Sequence, residues 1–373
     1  MKVLVAAESF LPSMNGVTTT VLRTLDHLAE RGHEALVICP GPAPRQYAGF
    51  PVIEVTSFPW MGMRVGFPTR ILTTALRMFQ PDVVHAAAPF SLGFHALVAA
   101  DRRGIPTCAV YQTDLAGFSK RNHLSFLSTP STKWLGWAHQ HADVNLAPST
   151  PAAADLTAWG INDVIVWPHG VDATLFDPAR RYSEAGHAFR AQFQRTGRPV
   201  VGYIGRLNPE KEVERLGAVA ELADLVVVGD GTVRQRLEGQ LPTALFTGRL
   251  GGEDLAAAYA SLDVFVHTGR HETFGLTVQE AMAAGVPVVA PNEGGPVDQV
   301  VDGETGFLFD PDRPEEMREA IRRLVSDPEL RRSMGEAGRR RALTRSWEAI
   351  NDDLIGYWHL AAERRYAREY QIA

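Results

Sequence analysis

From Val264 to Pro291 the chain reads VFVHTGRHETFGLTVQEAMAAGVPVVAP: a strand, a loop, a helix and a second strand in succession. The apolar run 264–267 has the length of a strand buried on both faces. Gly269 and Gly275 punctuate the loop that follows. Gly285 ends the helix, and the β-branched run 288–290 begins the next strand. A parallel sheet needs such a crossover between neighbouring strands, so this is the repeating unit of an α/β fold.

The same alternation extends in both directions. In the first half, strands fit 3–7, 35–39, 52–55, 83–86, 107–111, 144–147 and 164–167. Helices fit 17–30, 69–79, 92–102, 133–141 and 151–159. Asp177-Pro178 and the polar stretch to Gly197 read as a linker. The pattern then restarts with strands 200–204, 225–228, 245–247, 264–267, 288–290 and 307–309, and after Pro314 it is almost wholly helical. No fixed-period repeat interrupts it. A chain of 373 residues exceeds what one core usually organises, so two doubly wound domains are expected. Tandem domains of this kind place a cleft between the carboxyl ends of two sheets, where ligands bind.

Composition excludes several classes of function. No apolar run reaches the roughly 18–20 residues needed to span a bilayer. Met1-Lys2-Val3-Leu4-Val5 runs straight into Glu8 and Ser9, too short for a signal peptide. Cys39 and Cys108 form no metal-type spacing, which fits a reduced, cytoplasmic compartment. Residues 1–185 are balanced in charge, so the whole net charge of −6 falls in the remainder. That asymmetry argues for two units with different tasks. It argues against a nucleic-acid partner, which needs a concentrated basic face. The arginines between 339 and 345 read as a solvated helix face.

The chemistry-bearing residues lie where strands run out. Asn15 and Gly16 follow the first strand and open a long helix, whose free N–H groups attract an anion; the plain alternative is a glycine that a loop requires. Gly205-Arg206-Leu207-Asn208-Pro209-Glu210-Lys211 sets two cations five residues apart on a strand-to-helix loop. Arg offers a fork and Lys a compact charge, suited to one diphosphate; the alternative is a solvated basic loop. Glu272 stands in the loop after the strand 264–267. The amides near Phe274, Gly275 and Leu276 are helix N-terminal donors suited to phosphate. Glu280 lies two turns further along among apolar neighbours, where an unpaired carboxylate is costly. Gly285 and the pair Gly294-Gly295 read as structural.

Together these pieces resemble the family four glycosyltransferases of the GT-B fold, two Rossmann-like doubly wound domains facing across a cleft. The mark of that group is two Glu separated by seven residues, here Glu272 and Glu280. Asn15-Gly16, Arg206 with Lys211, Val228-Gly229-Asp230-Gly231 and Phe246-Thr247-Gly248-Arg249-Leu250 extend the likeness over nearly the whole chain. Tyr111-Gln112-Thr113-Asp114 with Ala116-Gly117, and Trp167-Pro168-His169-Gly170-Val171-Asp172, narrow it to the GDP-mannose-dependent α-mannosyltransferases of the phosphatidylinositol mannoside and glycolipid type. The resemblance implies an acceptor domain over 1–180, a nucleotide-sugar domain over 181–356, and a helix over 357–373 packing back on the first.

It also implies roles. Arg206 and Lys211 neutralise the leaving diphosphate in place of a metal. Glu272 contacts the transferred sugar, Glu280 the ribose, and Gly16 with Asn15 a phosphate from the opposite domain. Gly205, Gly229, Phe274, Gly275 and Leu276 complete the donor site, with Leu250 beside the base. Gln112, Asp114 and His271 are expected near the sugar and acceptor. Members of the group retain anomeric configuration and need no metal; Asp310-Pro311-Asp312 spells a metal-type triplet but sits at a turn. Gln112 stands where many relatives carry His, so an imidazole role there is lost and Asp114 gains interest. The short segment after Lys211 also departs from the family pattern.

The expected acceptor is an anionic glycolipid or glycan on the first domain. The stretch Phe58 to Arg64, and Lys120, Arg121, Phe126, Lys133, Trp134 and Trp137, mix aromatic and cationic side chains suited to the inner face of the plasma membrane; ordinary core with a few surface cations is the alternative. A UDP-sugar-dependent transferase with a soluble or natural-product acceptor is the nearest rival reading. A non-catalytic sugar-nucleotide-binding protein is the rival of another class. An NAD-dependent oxidoreductase needs a Gly-x-Gly-x-x-Gly that residues 6–17 lack.

Overall fold

The computed structural model describes residues 1–60, 63–67, 70–112 and 128–372. They form two compact units, Met1–His169 with Trp347–Ala373, and Gly170–Ser346.

Among the described residues the first unit holds an eight-stranded sheet. Its spatial order is Val164–Val166, Val144–Ala147, Thr107–Val110, Val83–Ala87, Lys2–Ala7, Glu34–Pro40, Phe50–Val55 and Gln46–Tyr47. Pairing is parallel except at the last edge. Both faces of the central strands are buried, which explains their unbroken apolar runs. The helix Gly16–Glu30 buries Val21, Leu25 and Leu28, one stripe at helical spacing, against this sheet.

The second unit carries a six-stranded, wholly parallel sheet ordered Leu245–Gly248, Asp224–Val228, Val200–Ile204, Val264–Val266, Val288–Pro291 and Gly306–Phe309. Helices and 3-10 turns cover both its faces, as the two core clusters on it require.

Three features differ from the sequence expectation. The polar stretch after Asp177 is no linker. It forms the turn Pro178–Tyr182 and the helix Glu184–Phe193, with Phe193 buried and Arg181 and Arg190 both paired to Asp263 at 2.9 and 2.6 Å. The units divide at 169/170 and 346/347 in place of the expected 180 and 356. Trp347–Ile372 is one continuous helix that sets Ile350, Leu354, Trp358 and Ala361 into the first core. Each large side chain so buried stabilises by about 1.5–3 kcal/mol. The Trp167 indole N–H donates to Ile350 O at 2.8 Å, and Arg365 pairs with the fully buried Asp143 at 2.9 Å. Lastly, part of the aromatic stretch 58–64 is a hairpin, Ser57–Trp60 against Met63–Gly66.

Candidate active site

In the second sheet the strand order reverses between Val200–Ile204 and Val264–Val266, which lie side by side. Loops leaving the carboxyl ends of such a pair run to opposite faces and open a crevice, the usual ligand site of α/β proteins. One loop is 205–211 and the other 267–275, so the reversal brings the two strongest sequence motifs together.

Each loop is held from behind. Gly205 and Leu207 donate their N–H groups to Val228 O and Asp230 O, both at 2.9 Å. Gly229 has φ +141°, and a Cβ there would lie 1.9 Å from Gly205 O, so glycine is required by close approach as well as by conformation. The Tyr203 hydroxyl donates to Arg206 O at 2.9 Å. Residues Pro209–Lys211 form a tight turn, and Thr268 Oγ1 donates to Lys211 O at 2.5 Å, which ties one loop to the other. Behind the second loop, Gly295 N–H donates to Glu272 O at 2.7 Å and Gln299 Nε2 to Phe274 O at 2.5 Å. A Cβ on Gly295 would sit 2.3 Å from Phe274 Cα.

At the centre Lys211 Nζ donates to Glu272 Oε2 at 2.5 Å. Burial raises the Glu272 carboxyl, but the Lys211 ammonium, with His267 and Arg206, outweighs it and holds the group at about 2. Arg206 is more open, with a side chain 58% exposed and 3.9 Å from Glu210 Oε1. Gly275, at φ +93°, precedes the helix Leu276–Ala283, and no side chain caps it. The N–H groups at the start of a helix favour an anion, and here that of Val278 already donates to Gly275 O at 3.0 Å. Glu280 has a partner: the buried Tyr259 hydroxyl donates to its Oε2 at 2.8 Å. Leu250 is half-buried against the core, and His271 is exposed. At 310–312, Asp310 Oδ1 accepts from Asp312 N–H at 2.9 Å while Asp312 pairs with Arg270 at 2.6 Å, the geometry of a turn.

The remaining expected residues belong to the first unit. Asn15 caps the helix Gly16–Glu30, accepting from Thr18 N–H at 3.1 Å and donating to Ser9 Oγ at 2.7 Å, and Gly16 is exposed at its start. Gln112 is buried just past the strand Thr107–Val110. Asp114, Ala116, Gly117, Lys120, Arg121 and Phe126 lie outside the described residues. Trp134 donates its indole N–H to Phe90 O at 2.7 Å and, with Trp137, packs on Phe94.

Two residues escaped the sequence reading. His267 reads there as the last strand residue, yet its ring is buried beside Glu272, with Nε2 3.8 Å from Oε2. Glu8 leaves the first strand of the other unit, where the order also reverses, between Lys2–Ala7 and Val83–Ala87. Its Oε1 accepts from Phe90 N–H at 3.0 Å and Gly93 N–H at 2.8 Å, at the head of the helix Leu92–Asp101. A polar residue at the end of an apolar strand was the one signal available for either.

A parallel α/β sheet with loops from both sides of its reversal point belongs to the doubly wound class, in which ligands bind at such a point. Comparison with known proteins makes this specific. A family model described as glycosyltransferase family 4 matches residues 14–175, and one described as glycosyl transferases group 1 matches residues 187–341. A GDP-mannose-dependent alpha-mannosyltransferase of Mycolicibacterium smegmatis is 47% identical over 99% of this chain and 100% of its own. A protein of the same description from Mycobacterium tuberculosis is 43% identical over 98% of each. A sulfoquinovosyl transferase of Arabidopsis thaliana is 34% identical over 90% of this chain and 69% of its own. The fold is that of a sucrose-phosphate synthase from Thermosynechococcus elongatus, with TM-score 0.78, 22% identity and full coverage of both chains. The chain belongs to the GT-B glycosyltransferases of family 4.

Proposed function

We propose that the protein transfers α-mannose from GDP-mannose, with retention, to a hydroxyl of a glycolipid or glycan. The observation that carries this is the Lys211–Glu272 pair at the reversal point of the second sheet. Lys211 and Arg206 meet the diphosphate, and Glu272 meets the sugar hydroxyls. The amides of 274–276 take the remaining phosphate oxygens, and Glu280 a ribose hydroxyl. As the glycosidic bond breaks, negative charge grows on the departing diphosphate. Fixed cations and amides stabilise that charge more than the ground state, each contributing about 3 kcal/mol to lowering the barrier. These groups supply the positive charge, so this reading assigns no metal. Identity of 47% and 43% over nearly the whole length of relatives named for GDP-mannose favours that donor over a UDP-sugar.

The acceptor belongs to the first unit. There Phe58, Phe67, Ile71 and Met78 are exposed, and Arg70, Arg77 and Arg103 line a depression of about 680 Å³. Apolar side chains beside arginines suit an anionic lipid surface.

A crossed panel tests the reading. The protein is offered GDP-mannose, UDP-glucose and ADP-glucose with a mannosylated glycolipid in anionic vesicles and with soluble glycans, and product mass and anomeric configuration are read. Retained α-mannoside from GDP-mannose on the vesicle acceptor is expected. Product from UDP-glucose alone moves the assignment to the rival donor. Nucleotide binding with no transfer to any acceptor leaves a sensor in its place.

A further inference from the structure

His267 is 3% exposed, and among the described residues its ring nitrogens have no side-chain hydrogen-bond partner, only a weak polar contact with the Gly269 backbone. An imidazole buried in this way is costly, because its nitrogens lose water without full replacement. Its backbone follows directly on the strand Val264–Val266, with N–H donating to Val289 O at 2.8 Å. The side chain therefore calls for a separate explanation.

Its surroundings supply one. Nε2 lies 3.8 Å from Glu272 Oε2, the same oxygen that accepts from Lys211 Nζ at 2.5 Å. The next residue, Thr268, holds the Lys211 carbonyl, and a Cβ on Gly269 would lie 3.1 Å from Lys211 Cα. His267 and Lys211 thus stand on neighbouring loops joined by this bond, with Glu272 between their side chains. Burial is the largest effect on His267 and pulls it down to about 4, so the ring is neutral and carries one N–H.

We propose that His267 is a positioning residue that takes over Glu272 when the diphosphate draws Lys211 away. This rests on the functional reading above, in which Lys211 serves the phosphates and Glu272 the sugar. With no donor bound, the ammonium is committed to Glu272. A diphosphate competes for it, and the carboxylate then loses the cation that offsets its burial. Closure of about 1 Å brings the imidazole N–H into hydrogen-bond range of Oε2. The bond keeps Glu272 ionised and aimed at the sugar, and the nucleotide makes no use of it. The ring held 3.8 Å from Oε2, just beyond hydrogen-bond range, is the form that waits for this exchange.

The test uses the full-length protein with His267→Met, which keeps bulk but removes the donor, and His267→Gln, whose amide reaches the position of Nε2. GDP affinity is measured by calorimetry, and kcat and KM with GDP-mannose. Loss of one hydrogen bond to a charged group lowers kcat by about 10- to 100-fold. That loss is expected for His267→Met with GDP affinity within about 2-fold of the parent, and His267→Gln is expected to recover most of the rate. A parent-like kcat in a folded His267→Met overturns the proposal. So does an equal loss in a folded His267→Gln, or a parallel loss of GDP affinity, because packing alone then explains the histidine. If His267→Met fails to fold, His267→Leu, which also lacks a donor, replaces it; if His267→Gln fails to fold, His267→Asn replaces it, each under the same criteria. A parent protein that transfers nothing from GDP-mannose refutes the functional reading instead, before any variant is compared.

Discussion

Glu8 and Glu272 occupy corresponding places, each in the loop at the strand reversal of its own unit, and their carboxyl groups are displaced in opposite directions. Burial raises both. At Glu8 it wins against the N–H groups of Gly93 and Phe90 and pushes the carboxyl up to about 7. At Glu272 the Lys211 ammonium reverses it and the carboxyl falls to about 2. The neutral amides of Phe90, Ser91, Leu92 and Gly93, even at a helix head, offset less desolvation than one full charge at contact distance. The first crevice is therefore built to close a loop on itself. The second holds a full ion pair at contact distance.

The sharpest way to break this contrast is to remove the ammonium. Lys211→Ala is expected to lower kcat by about 100- to 1,000-fold or more, the scale of losing one oxyanion-type donor. Turnover within a few-fold of the parent would take Lys211 out of the mechanism.

The same variant carries a stability signature. Glu272 is depressed on folding, so its contribution is complete above about pH 4.5 and is lost as pH falls toward 2. It amounts to about 3 kcal/mol. The Tm deficit of Lys211→Ala should be full at pH 7 and narrow below about pH 4.5. A deficit independent of pH would assign it to lost packing.

Glu8 reverses the sign and lowers the magnitude. Its carboxyl is raised, so the folded protein binds this proton more tightly than the unfolded chain. Stability then declines as pH rises from about 4.5 through about 7. Glu8→Gln keeps an acceptor oxygen for the two amides without the charge. A gain of about 1–3 kcal/mol is expected at pH 8, fading to none near pH 4. A loss at pH 8 would show that the amides, and not burial, dominate Glu8.

Much of this molecule is written locally. Apolar runs of strand length, separated by helical segments and glycine stops, set out both sheets, because burial on two faces leaves no room for polar alternation. Arg206, Lys211 and Glu272 could be singled out because charged residues stand immediately past such runs. Where the reading failed, the information was long-range. The stretch 178–193 looks polar because Arg181 and Arg190 are meant for Asp263, 82 and 73 residues away. The domain division shifted because a single 26-residue helix begins in one place and packs continuously from its first turns.

The site shows the same division. Spacing along the chain specified which residue types end each strand. Strand order decided which of those ends meet: Lys211 with Glu272 across 61 residues, Phe90 with Glu8 across 82. Contact distance and burial, which exist only once those ends are packed together, then turned one glutamate into a fixed anion and the other into a near-neutral acid.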